Sequence, residues 1–286
     1  MPALPRGPAG GEAWITHLTR TIKITLAYDG TRYVGWQRQS EGTSVQGLLE
    51  EALARFEGHP TTVHGAGRTD AGVHALGQVA SARLSGGHDP RQLLRGLNTS
   101  LPPDVRVLQV DEVADDFHAR FSARSKTYRY AIRNASIVSP LEYPFVWQVP
   151  ERLDLAAMQA AAAMLMGTHD FACFRSTGQE AKRGTTRTIT TSHVVDNSQL
   201  PTPDPRSPIP NPQSPTPDPQ SLLIYEVTAT GFLRRMVRAI AGTLVEVGRG
   251  QRSPDSVVAL LDGRSRADAG VTAPAQGLFL VSVTYD

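Results

Sequence analysis

The sequence predicts an α+β fold made of two ferredoxin-like halves, each with the element order β-α-β-β-α-β. Strand-like alternation of apolar and polar residues and amphipathic helices with capping signals recur in the same order in both halves. We expect a pseudo-twofold relation between the halves, with mainly antiparallel sheets and a central cleft. The predicted N-terminal domain covers residues 20–117, and the predicted C-terminal domain covers residues 118–286. Clefts between domains are common places for functional sites.

In the first half, the alternating segment Thr21–Tyr28 predicts a strand that ends at a turn. Thr43 and Gln46 form a predicted capping box ahead of an amphipathic helix of about 13 residues, which Gly58 ends. The other predicted elements are strands near Thr61–Gly65, Gln78–Leu84 and Val105–Val113, and a helix from Asp89 to Leu97.

The second half repeats this order. Predicted strands cover Lys126–Arg133, Arg187–Val195, Leu222–Thr230 and Gly277–Tyr285. Predicted helices are an alanine-rich segment from the cap Asp154 to Gly167, the segment Leu233–Val247, and a segment from Ser253 to Gly263.

Two segments lie outside this plan. Residues 1–19 are rich in Pro and Gly, and we expect a flexible tail there. Residues 197–221 contain nine prolines, which disfavour a sheet ladder and favour extended polyproline conformers. Because this tract lies between two predicted neighbouring strands, we interpret it as an enlarged hairpin tip. A recognition motif for a proline-binding partner is the alternative.

The composition limits the classes of protein to which this chain can belong. At 286 residues and 40% apolar content, the chain can fill two ordinary domains or one large one. It has no run of 18 apolar residues and no signal-peptide core, so we expect a soluble, cytoplasmic protein without a membrane partner. The single cysteine, Cys173, excludes an internal disulfide and a cysteine-based zinc cage.

The net charge of +2 hides an uneven distribution. Residues 118–135, 175–190 and 232–252 carry +5, +3 and +4, so the rest of the chain sums to −10. Concentrated basic segments are the expected footprint of a protein that binds a phosphate backbone. Local charge is also common on faces that bind no nucleic acid.

A glycine-rich stretch, residues 65–77, presents Asp70 beside Arg68 and four residues before His74. This stretch matches neither the dinucleotide-binding fingerprint nor the phosphate-loop motif. Asp70 either caps a turn through its own side chain or serves as a nucleophile or acid/base group held on a bend.

Three arginines, at 234, 235 and 238, fall in the first two turns of a predicted helix, where they oppose the helix dipole. Arg234 and Arg238 are expected to point the same way, towards phosphate or a carboxylate such as Asp70. Tyr128 and Tyr130 share one face of a predicted strand, which suits base stacking or an aromatic core. The pair His169-Asp170 predicts a capped turn more readily than a metal site.

With these residues in place, the sequence resembles the tRNA pseudouridine synthase A family from about Ile22 to Asp286. The motifs that carry the resemblance are Gly67-Arg-Thr-Asp-Ala-Gly-Val-His-Ala75, Tyr28-Asp-Gly-Thr with Gly35-Trp-Gln, Phe117-His-Ala-Arg-Phe-Ser-Ala-Arg, Lys126-Thr-Tyr-Arg-Tyr130, His169-Asp-Phe171, Phe232-Leu-Arg-Arg-Met-Val-Arg238 and Gly277-Leu-Phe-Leu280. The tail and the Pro-rich tract depart from the family pattern without touching a motif.

The resemblance implies an isomerase that converts uridine to pseudouridine at positions 38, 39 and 40 of the tRNA anticodon stem-loop. It implies no metal, no organic cofactor, a flipped target base, and a homodimer that grips tRNA. The roles it implies are Asp70 as the catalytic carboxylate, Arg238 as its ion-pair partner, Tyr128 as the ring on the target uracil, Leu278 as the apolar wall and Arg68 in the vacated space. From the basic segments we expect three further substrate-binding cations, Arg234, Arg175 and Lys182.

Two alternatives stay open on the residues alone. One is an RNA-binding module without catalysis, since a ferredoxin-like sheet with aromatic residues also describes such a module. The other is a metal-dependent phosphoesterase that uses Asp70, His74 and the His169-Asp170 pair.

Overall fold

The computed structural model describes residues 19–176, 184–197, 221–262 and 264–286. Lys182 therefore lies outside the described residues. So do residues 1–18 of the predicted tail and residues 198–220 of the Pro-rich insertion. In chain order the elements are β1 (Arg20–Tyr28), α1 (Val45–Glu57), β2 (Val63–Gly65), β3 (His74–Leu84), α2 (Pro90–Ser100), β4 (Val105–Val113), β5 (Ser125–Asn134), β6 (Trp147–Gln148), α3 (Leu155–Ala163), β7 (Gly167–Asp170), β8 (Thr186–Asp196), β9 (Ser221–Ala229), α4 (Met236–Gly248), α5 (Ser256–Leu260) and β10 (Leu278–Thr284).

The ten strands form one continuous sheet in the order β4-β1-β3-β10-β5-β9-β8-β7, with β2 paired to β3 and β6 paired to β5. Most pairs are antiparallel, and the mixed α+β class is confirmed. We predicted separate sheets with a cleft between them, but the strands form a single sheet. The physical reason is β10, which pairs parallel with β3 through Phe279 and Leu280 and antiparallel with β5.

Apolar side chains fill a core that draws on both halves. The alternation predicted for β1 is confirmed, because Ile22, Ile24 and Leu26 have no exposed surface. Burying each of these side chains stabilises the fold by roughly 1.5–3 kcal/mol. Helix α2 packs against β4, α3 packs against β8 and α4, and α4 packs against β5. None of the helices in the described ranges has the length and apolar content needed to cross a membrane.

Several helix ends follow their predicted caps. Asp89 closes a capping box with Gln92 at the start of α2, and the Asp154 side chain accepts from the Ala157 amide at the start of α3. Helix α1 ends as predicted at Gly58, whose φ of 72° is readily adopted by glycine.

Several predicted boundaries were wrong, including those at three helix ends. Helix α1 is capped by Ser44 instead of Thr43, and Gln46 bonds outwards to Glu50 and the Val63 carbonyl instead of back to the cap. Helix α3 ends at Ala163, before Gly167. Helix α4 begins at Met236 instead of residue 233, because the preceding residue leaves the helical conformation.

Candidate functional site

The loop between β2 and β3 presents Asp70 on a tight turn. The Val73 amide donates to the Asp70 carbonyl at 3.2 Å, and Gly72 takes a φ of 76°. The turn packs backbone to backbone on residues 30–36. A Cβ on Gly35 would lie 2.5 Å from the Thr69 carbonyl oxygen, and a Cβ on Gly30 would overlap the carbonyl oxygen of Val73. Both glycines are therefore required by close approach to the loop.

Buried polar groups hold the loop from below. The Tyr28 hydroxyl bonds to the Thr69 hydroxyl at 2.8 Å, and the Gln78 amide donates to the Gly67 carbonyl at 2.9 Å. Burial raises the pKa of Tyr28 to about 12, so its hydroxyl stays protonated at neutral pH. These bonds satisfy buried groups and fix the backbone on both sides of Arg68.

The side chain of Asp70 faces two arginines instead of a backbone amide. Arg238 Nη1 donates to Asp70 Oδ2 at 3.1 Å, and the exposed fractions of the two side chains are 14% and 25%. Arg238 is fixed in turn, because its Nε donates to the Ala273 carbonyl at 2.7 Å. The turn-capping interpretation of Asp70 does not describe this geometry. The arrangement is a partly buried carboxylate oriented by an anchored cation.

Arg235 lies near the same carboxylate, but its backbone conformation differs from the helical conformation of Arg238. Its Nε lies 4.0 Å from Asp70 Oδ2, and 45% of its side chain is exposed. Its φ of 61° and ψ of 10° are left-handed, and it is the one non-glycine residue with positive φ in the described ranges. This conformation costs roughly 1–2 kcal/mol for a residue with a Cβ. Because of it, Arg234 precedes the helix, so the helical spacing from which we predicted a shared orientation of Arg234 and Arg238 is absent.

Tyr128, on β5, lies beside the loop and is 7% exposed. Its ring meets Phe232 edge to face at 4.9 Å, and its hydroxyl lies next to Gly67. Burial first, and then Tyr28 and Asp70, raise the pKa of Tyr128 above its ordinary value. Tyr130 belongs to the core, and its hydroxyl donates to the Pro274 carbonyl at 2.8 Å. Tyr128 therefore lies beside the Asp70 loop, whereas Tyr130 is part of the core.

Leu278 begins β10 and is 6% exposed. It follows the turn Ala275–Gly277, which touches the Asp70 loop where a Cβ on Gly72 would lie 3.2 Å from Ala275 Cβ. Leu278 thus supplies an apolar side chain directly after the segment that meets the loop.

His74 holds these segments together. Its Nδ1 accepts from the Gly30 amide at 3.0 Å, and its Nε2 donates to the carbonyl oxygens of Pro144 and Gln276, each at 3.1 Å. Burial lowers the pKa of His74 despite the nearby Asp29 carboxylate, which is consistent with the neutral ring that these bonds need. His74 is structural in this arrangement.

The structure describes three of the other predicted substrate-binding cations. Arg68 and Arg234 are exposed, and Arg175 is half-buried. The backbone brings the last two near each other, since the Ser176 amide donates to the Arg234 carbonyl at 3.2 Å. Across the described ranges, none of the three has an acidic partner within ion-pair distance. Lys182 falls outside those ranges.

Sequence reasoning missed Lys126, although it named the motif that contains this residue. The Lys126 stem lies against Gly67, and burial together with Arg120 lowers the pKa of its ammonium group. Next to it, the His118 ring packs between His64 at 4.7 Å and Phe121 at 4.3 Å. Cations interleaved with rings are typical of surfaces that bind single-stranded nucleic acid.

The residues of the phosphoesterase alternative do not form a metal site. His169 Nε2 bonds to the Met166 carbonyl at 2.8 Å, and Asp170 accepts from the Ala172 amide at 3.0 Å, which is the predicted capped turn. The described part of the chain contains no group of three or more His, Cys, Asp or Glu residues placed to hold a metal ion.

A cavity of about 940 Å³ lies elsewhere, between the start of α3 and the end of α4. Two of its arginines, Arg249 and Arg252, are paired with Glu151 and Glu246. Its lining does not include Asp70, and its charges are largely compensated. We therefore place the candidate site at the loop.

Orientation of a partly buried carboxylate by an anchored cation is typical of an active site, and the exposed cations Arg68 and Arg234 favour an anionic substrate. The model of the tRNA pseudouridine synthase family matches residues 24–122 and 161–286. The chain therefore belongs to this family and is an isomerase that acts on tRNA.

Curated relatives agree over nearly the full chain. The chain is 44% identical to tRNA pseudouridine synthase A of Syntrophotalea carbinolica, over 92% of this chain and 96% of the relative. It is 44% identical to the Pelobacter propionicus protein of the same name, over 93% and 100%. It is 43% identical to the Myxococcus xanthus protein of that name, over 92% and 91%.

Proposed function

We propose that this chain converts uridine to pseudouridine at positions 38, 39 and 40 of the tRNA anticodon stem-loop, with Asp70 as the catalytic carboxylate. The observation that carries the proposal is the pairing of Asp70 with Arg238 at 3.1 Å on a loop with fixed backbone. The reaction needs neither a metal nor an organic cofactor.

The chemistry is an isomerisation in which the bond from ribose C1′ to uracil N1 breaks and a bond from C1′ to C5 forms. The C5 proton is released, and N1 takes up a proton. Asp70 acts on the ribose or on the base, and it suits this task because an aspartate is ionised at neutral pH and can leave as readily as it attacks. Arg238 orients the carboxylate throughout the cycle.

The target nucleotide leaves the helical stack before Asp70 reaches it, at a cost of a few kcal/mol. Tyr128 stacks on the flipped uracil, Leu278 forms the apolar wall of the pocket, and Arg68 occupies the vacated space. The burial of Tyr128 and Leu278 and the exposure of Arg68 support these roles.

The surrounding cations bind the tRNA backbone. Arg175 and Arg234 contact phosphates, and so do Lys126 and Arg120. Lys182, which lies outside the described residues, is assigned the same role from the basic segment that contains it. The lack of nearby carboxylates at the described members of this set supports the assignment. Binding should therefore weaken steeply as salt rises.

The two halves, residues 20–117 and 118–286, form two domains related by a pseudo-twofold axis, and the protein acts in the cytoplasm as a homodimer. The strand order supports the relation, because β4-β1-β3 in one half corresponds to β10-β5-β9 in the other. Light scattering at micromolar protein tests the dimer, and a monomer mass would contradict it.

The experiment that tests the function maps pseudouridine in tRNA transcripts by carbodiimide modification and primer extension. We expect stops that report pseudouridine at positions 38, 39 and 40 wherever uridine is present, and none in a matched transcript with cytidine there. Stops confined to another arm of the tRNA would refute the proposed target.

A further inference from the structure

Arg235 combines two features that a structural role does not explain. It takes a left-handed backbone conformation that glycine or asparagine adopts at lower cost, and it carries a charge that reaches the candidate catalytic carboxylate. We propose that Arg235 binds a phosphate of the target nucleotide and turns from Asp70 to that phosphate when RNA enters. This inference rests on the proposed function.

The two arginines at Asp70 differ in how they are held. Arg238 lies at 3.1 Å, is 14% exposed and is anchored on Ala273. Arg235 lies at 4.0 Å, which is beyond hydrogen-bond distance, and is 45% exposed. Its guanidinium makes no hydrogen bond to any described residue. One cation is therefore fixed on the carboxylate, whereas no described residue occupies the hydrogen-bond donors of the other.

The place of Arg235 defines what it can bind. Its side chain is 45% exposed and reaches to 4.0 Å from the Asp70 carboxylate, so it is open to a ligand that enters from solvent to meet Asp70. A nucleotide that does so brings its flanking phosphates with it. A guanidinium with available donors matches a phosphate in shape and charge and binds it through two parallel hydrogen bonds.

The backbone conformation points in the same direction. Strained residues persist where the surroundings fix them, and they cluster at ligand-binding sites. The Arg235 carbonyl accepts from the Ala239 amide at 3.0 Å, and the Met236 amide donates to Leu233, so the turn is fixed on both sides. The turn sets the conformation, and the need for a cation explains why arginine occupies it.

The test compares Arg235→Asn and Arg235→Lys with the full-length wild-type protein. Asparagine tolerates the left-handed conformation but has no charge, whereas lysine restores the charge and keeps the strain. Arg95→Gln is the matched control, since it removes an exposed arginine from the outer side of α2, remote from the loop in sequence. The measurements are melting temperature without RNA, the salt dependence of tRNA binding, and kcat and KM for pseudouridine formation.

We expect Arg235→Asn to raise the melting temperature by about 2 °C or more because strain is relieved. In the same variant, KM should rise about tenfold or more at low salt while kcat changes less than threefold, and the salt slope should fall by about one phosphate contact. Arg235→Lys should regain most of the KM and the slope without the thermal gain. Arg95→Gln should leave KM and kcat unchanged.

A lower melting temperature in Arg235→Asn would overturn the proposal, because it would show that the side chain holds the fold. An unchanged salt slope and KM would overturn it equally. If the wild-type protein makes no pseudouridine, the proposed function fails, while the melting temperature and salt slope still decide whether Arg235 contacts phosphate.

Discussion

Removing the anchored arginine tests how Asp70 is oriented. In Arg238→Ala the carboxylate loses its bond at 3.1 Å, and the Ala273 carbonyl loses its donor at 2.7 Å. A hydrogen bond to a charged group contributes about 1.5–3 kcal/mol, and both side chains are less than one third exposed, so solvent screening reduces this value only modestly. If the bond acts in the transition state, the loss corresponds to about 10- to 150-fold in kcat/KM.

The Arg238 experiment needs a second variant and a control. Arg238→Lys keeps the charge but cannot make both bonds at once, so we expect an intermediate loss. Arg129→Ala is the matched control, because Arg129, on β5, pairs with Glu226 at 3.0 Å and both side chains are partly buried, with 30% and 25% exposed. Single-turnover pseudouridine formation gives the rate, and circular dichroism reports folding. A folded Arg238→Ala protein within threefold of the wild-type rate would refute the orienting role.

Two other predictions concern the fold around the site. Gly242→Ala should lower the melting temperature by several degrees, because the added Cβ would overlap the Val271 carbonyl oxygen. Overpacking of this kind costs about 1–3 kcal/mol. An unchanged melting temperature would contradict this contact. Burial lowers the pKa of His74, so the unfolded state binds more protons below about pH 6.5 and stability should fall on acidification. Urea unfolding at pH 7.5 and 5.5 should show a smaller pH effect in His74→Gln than in wild type, while an equal effect would assign it to other groups such as His118, whose pKa is also lowered.

Local patterns predicted much of the fold. The alternation of Ile22, Ile24 and Leu26 identified β1, and the caps Asp89 and Asp154 located two helices, because each signal lies within a few residues of the feature it controls. The glycine-rich loop could be recognised for the same reason, since its glycines lie within a few residues of Asp70 and Gly72 adopts the positive φ of the turn.

Features set by contacts distant in sequence escaped prediction. The pairing of β10 with β3 joins residues about 200 positions apart, and no periodicity records it. The left-handed Arg235 is imposed by the turn before α4, so the apparent helical spacing from Arg234 to Arg238 misled the prediction. Lys126 approaches the loop only because β5 lies beside it. The residue type alone does not distinguish Lys126 from an ordinary surface lysine.

The central claim, that Asp70 isomerises uridine in tRNA, is tested most directly by release of tritium from uridine C5. The assay uses tRNA labelled at that position, wild-type protein and Asp70→Asn, with chelator present. We predict release by the wild type, no release by the variant, and tRNA binding by both. Equal release by Asp70→Asn would contradict the catalytic assignment, and intact tRNA binding without release by the wild type would favour an RNA-binding module.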